Sequence, residues 1–230
     1  QVTELLSLPE FTPETVTSDS ARRRVMYQAG FRRDAARAEF SGPDEDFLRS
    51  LDLVLRIDRA TEEDLDRAAE LTLRTSQMNA TGVHYSQETL RGLRSDPRHE
   101  VLVVNLADRF GPHGAVGVLM LEKHEPVWHL KLLATSCRVV SFGAGSVLLR
   151  WLSDQAATSG AHLLADFRKT DRNRMMEIAY RFAGFDDEDC DCRAAVAPAA
   201  DIQHLHLLAK PNPPPTTMTL DAPDLGGRHG

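Results

Sequence analysis

Val-Leu-Val-Val-Asn-Leu at 101–106, Ala-Val-Gly-Val-Leu-Met-Leu at 115–121 and Val-Trp-His-Leu-Lys-Leu-Leu-Ala-Thr at 127–135 decide the fold of this chain. Three apolar runs follow one another with no helix-length stretch between them, which predicts consecutive antiparallel strands. The first two are joined by Asp108-Arg109-Phe110-Gly111-Pro112-His113-Gly114, a turn-rich hairpin connection. Outward from these, Leu53–Ile57 predicts a strand before them, and Leu163–Phe167 and His204–Leu208 predict strands after them. Helices are expected over Ser18–Arg37, Glu62–Met78, Ser86–Arg94, Gly145–Ala157 and Arg172–Phe182. Gly42-Pro43 breaks the first, and a Thr61/Asp64 capping box opens the second. The order β-α-α-β-β-β-α-β-α-β describes an α+β (mixed α/β) chain whose mixed, mostly antiparallel sheet is flanked by helices. Residues 1–50 read as a helical N-terminal extension, 51–210 as the sheet domain, and 211–230, rich in Pro and Gly, as a flexible exposed tail.

The bulk composition narrows the function. In 230 residues, 42% are hydrophobic and 27% charged, ordinary for a soluble globular chain. A net charge of −7 and a pI near 5.7 exclude a strongly basic nucleic-acid binder. The arginines at 22–24, 32, 33 and 37 read as a solvated helix face. No apolar stretch reaches the roughly 20 residues that span a bilayer, and no charged-then-apolar leader opens the sequence. Three cysteines make no disulfide framework, so the expected setting is a reducing cytoplasm with free thiols.

Chemistry is concentrated after the third strand. Ser136-Cys137-Arg138 places a thiol beside a cation, and a neighbouring cation or helix N-terminus favours the reactive thiolate. A small buried hydrophobe is the competing reading of Cys137. Gly143-Ala144-Gly145 precedes a helix whose N-terminal amides could hold phosphate. Strand alternation puts His129, Lys131, Leu133, Thr135 and Cys137 on one face, yet His129 lies roughly 26 Å from Cys137 along a straight strand. His129 is therefore not its base, and His113 or His84 is freer to approach. Arg67, Glu70, Arg74 and Gln77 share a helix face, extended by Asn79 and Thr81; it is either solvated or a polar wall for a hydroxylated or anionic substrate. Asn173 and Tyr180, two turns apart, are candidates for holding a pantetheine amide and for protonating a leaving thiolate, against a cap and a packing aromatic. Cys190 and Cys192 form a C-x-C without a second ligand pair, so no metal is expected.

These segments resemble a known family. The strand–Gly143-x-Gly145–helix step, with Asn173, Tyr180 and Gly184-Phe185 after the next strand, looks like the Gcn5-related N-acetyltransferase (GNAT) fold. Across residues 14–186 the chain resembles more specifically the C-terminal half of FkbH-like proteins of polyketide biosynthesis. The matching stretches are Arg67-x-x-Glu70-Leu71-x-x-Arg74-Thr75-Ser76-Gln77-Met78-Asn79-x-Thr81, Asp108-Arg109-Phe110-Gly111-x-x-Gly114, Ser136-Cys137-Arg138-Val139 and Thr170-x-x-Asn173. The resemblance implies an acyltransferase moving a small glyceryl-like or other hydroxylated acyl group through a Cys137 thioester. Its implied partners are an acyl carrier protein and a small acyl donor, and its cofactor is a phosphopantetheine thioester on that carrier or on CoA. Cys137, His113 and Tyr180 are then the catalytic candidates. Arg74, Gln77, Asn79, Asp108 and Arg109 shape the acyl pocket, while Arg138, Gly143, Ala144, Gly145 and Asn173 hold the cofactor. The chain departs from the family at Ser76, Met78, Lys131, Ser141–Gly143 and Gly145, and it carries no Asp-x-Asp phosphatase signature. A CoA-dependent N-acyltransferase working by direct amine attack, with Tyr180 as acid, and a non-catalytic carrier-docking module are the other expectations.

Overall fold

The computed structural model describes residues 18–226 apart from Pro198. Six α-helices and seven strands are laid out among them. Helix α1 (Ser18–Glu39) and α2 (Asp44–Ser50) lead into β1 (Leu53–Arg59); α3 (Leu65–Arg74) and α4 (Gln87–Ser95) follow. Then come β2 (His99–Asp108), β3 (Gly111–Lys123), β4 (Val127–Thr135), α5 (Ala144–Thr158), β5 (His162–Phe167), α6 (Arg174–Phe182), β6 (Gln203–Leu207) and β7 (Met218–Asp221). One sheet holds all the strands in the order β6-β5-β4-β3-β2-β1-β7. Only the β1–β7 and β4–β5 pairs are parallel. The mixed, mostly antiparallel sheet expected from the sequence is thus present.

The central strands read as unbroken apolar runs because both faces are covered. Val101, Val103, Val118, Met120, Leu132 and Ala134 pack under α3 and α4. Leu102, Val104, Leu119, Leu121 and Leu163 face the opposite layer, where α5 contributes Leu148, Leu149, Trp151 and Leu152. Burying a Leu side chain of this kind contributes about 1.5–3 kcal/mol before the entropy of ordering is subtracted. β1 shows plain alternation instead, with Leu53, Leu55 and Ile57 inward and Val54 exposed. Among the described residues no helix is long and apolar enough to cross a membrane.

Four departures from the expected elements bear on function. The capping box forms, Asp64 Oδ2 accepting from the Thr61 amide at 2.8 Å, but it opens a short 3-10 turn, and α3 ends at Arg74 rather than Met78. The chain leaves the helix at Thr75 because Met78–Ala80 pair with the end of β4. A bulge at Lys131 shifts the register, with Leu130 opposite Leu121 but Leu132 opposite Met120. It inverts the alternation, so His129 and Leu133 do not share a face after all. Finally, the tail expected from residue 211 is not free: Met218–Asp221 form β7 beside β1, and Leu225 is buried. Residues 1–17 and 227–230 of the terminal segments lie outside the described residues.

Candidate active site

β4 and β5 pair only from Val127↔His162 to Leu130↔Ala165 and then diverge. Diverging strands leave backbone groups that an extended ligand could pair with. Here the chain fills the gap itself. Thr135 N donates to Met78 O at 2.9 Å, Ala80 N to Leu133 O at 3.0 Å, and Arg168 N to Ala80 O at 3.0 Å.

Two buried asparagines lock this plug. Asn79 Oδ1 accepts from the amides of Thr81 and Gly82, and its Nδ2 donates to Thr72 O. Asn173 Nδ2 donates to the carbonyls of Asn79, Ala80 and Arg168 at 2.9–3.2 Å, while its Oδ1 accepts from Thr170 N. Both side chains are fully buried with their capacity taken. The expected roles of Asn79 in an acyl pocket and Asn173 on a pantetheine amide are corrected: both hold the chain's own backbone.

Tyr180 is corrected in the same way. It is completely buried against Phe167 and Phe185, its hydroxyl has no hydrogen-bond partner among the described residues, and burial drives its pKa far up. A proton held that firmly in the core does not serve a leaving group at the surface. Arg74 and Gln77 also drop out of a shared pocket wall. Arg74 is exposed and paired with Glu70 at 3.0 Å, and Gln77 lies exposed beyond the helix end.

The remaining candidates gather around the β2–β3 hairpin. The Asp108 side chain is buried, its Oδ1 accepting from the amides of Phe110 and Gly111 at 2.9 and 3.1 Å. Its Oδ2 meets both the Arg33 guanidinium and His113 Nε2, the latter at 3.0 Å. Burial by itself would raise the Asp108 pKa, but Arg33, His113 and the Phe110 amide hold it below the usual carboxylate value. The acyl-pocket role expected for Asp108 becomes one of orientation: it fixes the hairpin, His113 and α1 together. Arg109 is exposed and stacks over Phe110, its guanidinium 4.8 Å from the ring centroid.

His113 stands at a bulge in β3, edge-on to Phe142 with ring centroids 5.2 Å apart. Burial, with Arg33 and Arg138 adding to it, lowers its pKa below 6.5 despite Asp108. A neutral ring that donates from Nε2 to Asp108 carries its free lone pair on Nδ1. His113, Arg138 and Phe142 line a cleft of about 580 Å3, with Tyr27, Phe31 and Arg33 of α1 opposite. That volume suits a small organic ligand.

Cys137 is exposed and opens the 3-10 turn Cys137–Phe142, whose capping Ser136 hydroxyl accepts from the Arg138 amide. The buried-thiol reading is therefore wrong. Cys137 does not itself line the cleft; Arg138, the next residue, does. The turn ends on Gly143 in the left-handed region (φ 73°), which swings the chain into α5. Among the described residues no side chain caps this helix, and a Cβ added at Gly143 or Gly145 would meet nothing within 4 Å. The Gly143 amide itself donates to Val140 O at 3.0 Å, and the amides that follow, at Ala144 and Gly145, stand in the first turn at the positive end of a 15-residue helix, where phosphate is favoured.

Arg33, expected on a solvated helix face, is instead largely buried against Asp108, a placement the sequence reading missed. The signal existed: Met26, Ala29, Arg33 and Ala36 recur at helical spacing, and Gly111 and Gly114 let that face of α1 approach the hairpin. Cys190 and Cys192 also have neighbours that the sequence spacing did not place. His162 and His206 stand beside them, with potential ligand atoms of all four within 4.8 Å of one another.

No family model and no curated protein matches the chain. Solved structures similar to it include Tetrahymena GCN5, at 15% identity and a TM-score of 0.49 over 69% of this chain and 97% of that one. The ribosomal-protein-S18-alanine N-acetyltransferase from Escherichia coli is 17% identical, with a TM-score of 0.46 over 66% of this chain and 89% of that one. Spermidine N-acetyltransferase from Vibrio cholerae, solved with CoA and spermine, is 14% identical, with a TM-score of 0.47 over 67% and 95%.

Proposed function

We propose that this chain is an acyltransferase that takes a small, hydroxylated acyl group from a phosphopantetheine thioester onto Cys137 and passes it to an acceptor, an acyl carrier protein being the expected carrier. The observation that carries the reading is the order of groups along one turn. An exposed thiol, a cation and an uncapped helix N-terminus follow one another from Cys137 through Arg138 to Gly145. Phosphate would sit on the Ala144 and Gly145 amides with Arg138 as counter-charge, leaving the thioester end of the arm near Cys137. The Cys137 thiolate attacks the acyl carbonyl, the C–S bond to the donor breaks, and the released pantetheine thiolate takes a proton from solvent. The acceptor then enters the cleft, gives its proton to Nδ1 of neutral His113, and attacks the Cys137 thioester, whose C–S bond breaks to return the Cys137 thiolate while His113 releases the proton to solvent. The cleft sets a mostly apolar wall, with Met26, Phe31, Phe47 and Phe142, against Asp34 and Ser141, which would meet the hydroxyl of a small acyl group.

Intact-protein mass spectrometry with hydroxyacyl-loaded CoA or carrier protein tests this. One acyl adduct should appear on Cys137 and vanish in Cys137→Ser. An adduct on another residue, or full turnover by Cys137→Ser with an amine acceptor, would replace the two-step mechanism with direct transfer. Tight carrier binding with no adduct would replace it with docking alone.

A further inference from the structure

We propose that His162, Cys190, Cys192 and His206 form a structural zinc site that fastens the 186–196 excursion onto the β5–β6 rim of the sheet. The candidate ligand atoms of these four residues all lie within 4.8 Å of one another. His162 Nδ1 is 3.1 Å from His206 Nε2, and Cys190 Sγ is 3.4 Å from His162 Nδ1. Zinc–nitrogen bonds of about 2.0–2.1 Å and zinc–sulfur bonds of about 2.3 Å at tetrahedral angles place such neighbours roughly 3.3–3.8 Å apart. The cluster therefore needs movements of an ångström or less to close on one ion.

The fold explains how distant residues converge. β5 and β6 are antiparallel with Leu164 opposite His206, so His162, two residues before Leu164, is the diagonal neighbour of His206 on the same face. Cys190 is extended (φ −147°, ψ 137°) and leads into the turn Asp191–Ala195, which lays Cys192 and Val196 over Val127 and Leu164 on that face. His206 turns its other nitrogen, Nδ1, toward the Asp186 carboxylate 3.9 Å away, beyond hydrogen-bond distance but on the side where an outer carboxylate partners a metal-bound imidazole.

Two thiolates and two neutral imidazoles select zinc among the common divalent ions and leave no position for water, which marks a structural rather than catalytic site. Binding displaces the two thiol protons to solvent, and the zinc–dithiolate unit is neutral, which suits partly buried ligands. The adjacent His129–Asp166–His204 cluster is a different arrangement. There one carboxylate oxygen serves both rings, at 2.6 and 3.4 Å.

The full chain, purified untagged from zinc-supplemented medium, tests the site by elemental analysis and X-ray absorption. One zinc per chain with two sulfur and two nitrogen neighbours is expected. Cys190→Ser/Cys192→Ser should lose that equivalent, while His204→Gln keeps it. Should the double variant fail to fold, cobalt added to chelated wild-type protein decides, and a sulfur-to-cobalt charge-transfer band is expected. Wild-type protein that carries no zinc and gives no such band overturns the proposal. So does zinc retained by the folded double variant, or lost from folded His204→Gln.

Discussion

The plug at residues 78–82 and the turn at 137–145 are both polar segments beside the end of β4, and they are opposites. In the plug, Asn79 and Asn173 are fully buried and every polar contact runs to the protein's own backbone. In the turn, the thiol is exposed, and among the described residues no side chain caps the helix and none fills the space over Gly143 and Gly145. Polar residues in buried networks are held by the cost of leaving partners unsatisfied; those that face open space keep donors for a ligand. Asparagine and cysteine at matching family positions look equally functional in the sequence. Satisfaction of their hydrogen bonds separates them.

The contrast breaks most sharply at Cys137. Cys137→Ser should remove acyl loading entirely while leaving the melting temperature unchanged, because an exposed side chain contributes within about 0.5 kcal/mol. Asn173→Ala is the reverse experiment. It leaves the Asn79 and Arg168 carbonyls and the Thr170 amide without this partner, at a cost of about 3–5 kcal/mol. Melting should fall by about 6–15 °C, with the turnover of the folded fraction intact. A lost activity at unchanged melting would move Asn173 back into the site.

His113→Gln should slow acyl release to the acceptor by a hundredfold or more without preventing loading, as removal of a general base does. Because the His113 pKa is lowered, its basic form persists at neutral pH, and the rate in wild type should decline only below about pH 6.5. The variant should lack that acidic limb in a pH–rate profile. A weaker effect is expected at Arg138. Arg138→Gln should raise the Michaelis constant for a phosphopantetheine donor about tenfold and reduce its salt dependence, with loading at saturation preserved. Smallest of all, Tyr180→Phe removes a buried hydroxyl that has no partner among the described residues, so stability should hold or rise by about 1 kcal/mol with unchanged kinetics. A large kinetic loss there would restore Tyr180 as an acid.

Much of the fold was legible because apolar periodicity is local. The β2–β3–β4 meander and the helices from α4 onward stand within a few residues of their expected places. What stayed hidden depends on distant partners. The early end of α3 is set by pairing of 78–80 with β4, and the Lys131 bulge by the fit of β4 on β3. Four residues at 218–221 form a strand only because β1 presents an edge. The site divided likewise. The local sequence Cys137–Gly145 could be read directly, but Arg33 reaches across 75 positions to Asp108, and His162 across 44 to His206.

The last stretch of chain has a consequence for biogenesis. From β6 at one rim, residues 208–217 pass to β7 at the other, with Ser153 of α5 bonded to Lys210 in both directions and Gln155 accepting from the Leu225 amide. The strand that shields β1 is thus made about 165 residues after β1 itself. Until it arrives, a nascent or C-terminally clipped chain displays β1 as an unguarded edge able to recruit strands from other molecules. A segment that looks dispensable by composition is therefore the chain's safeguard against self-association.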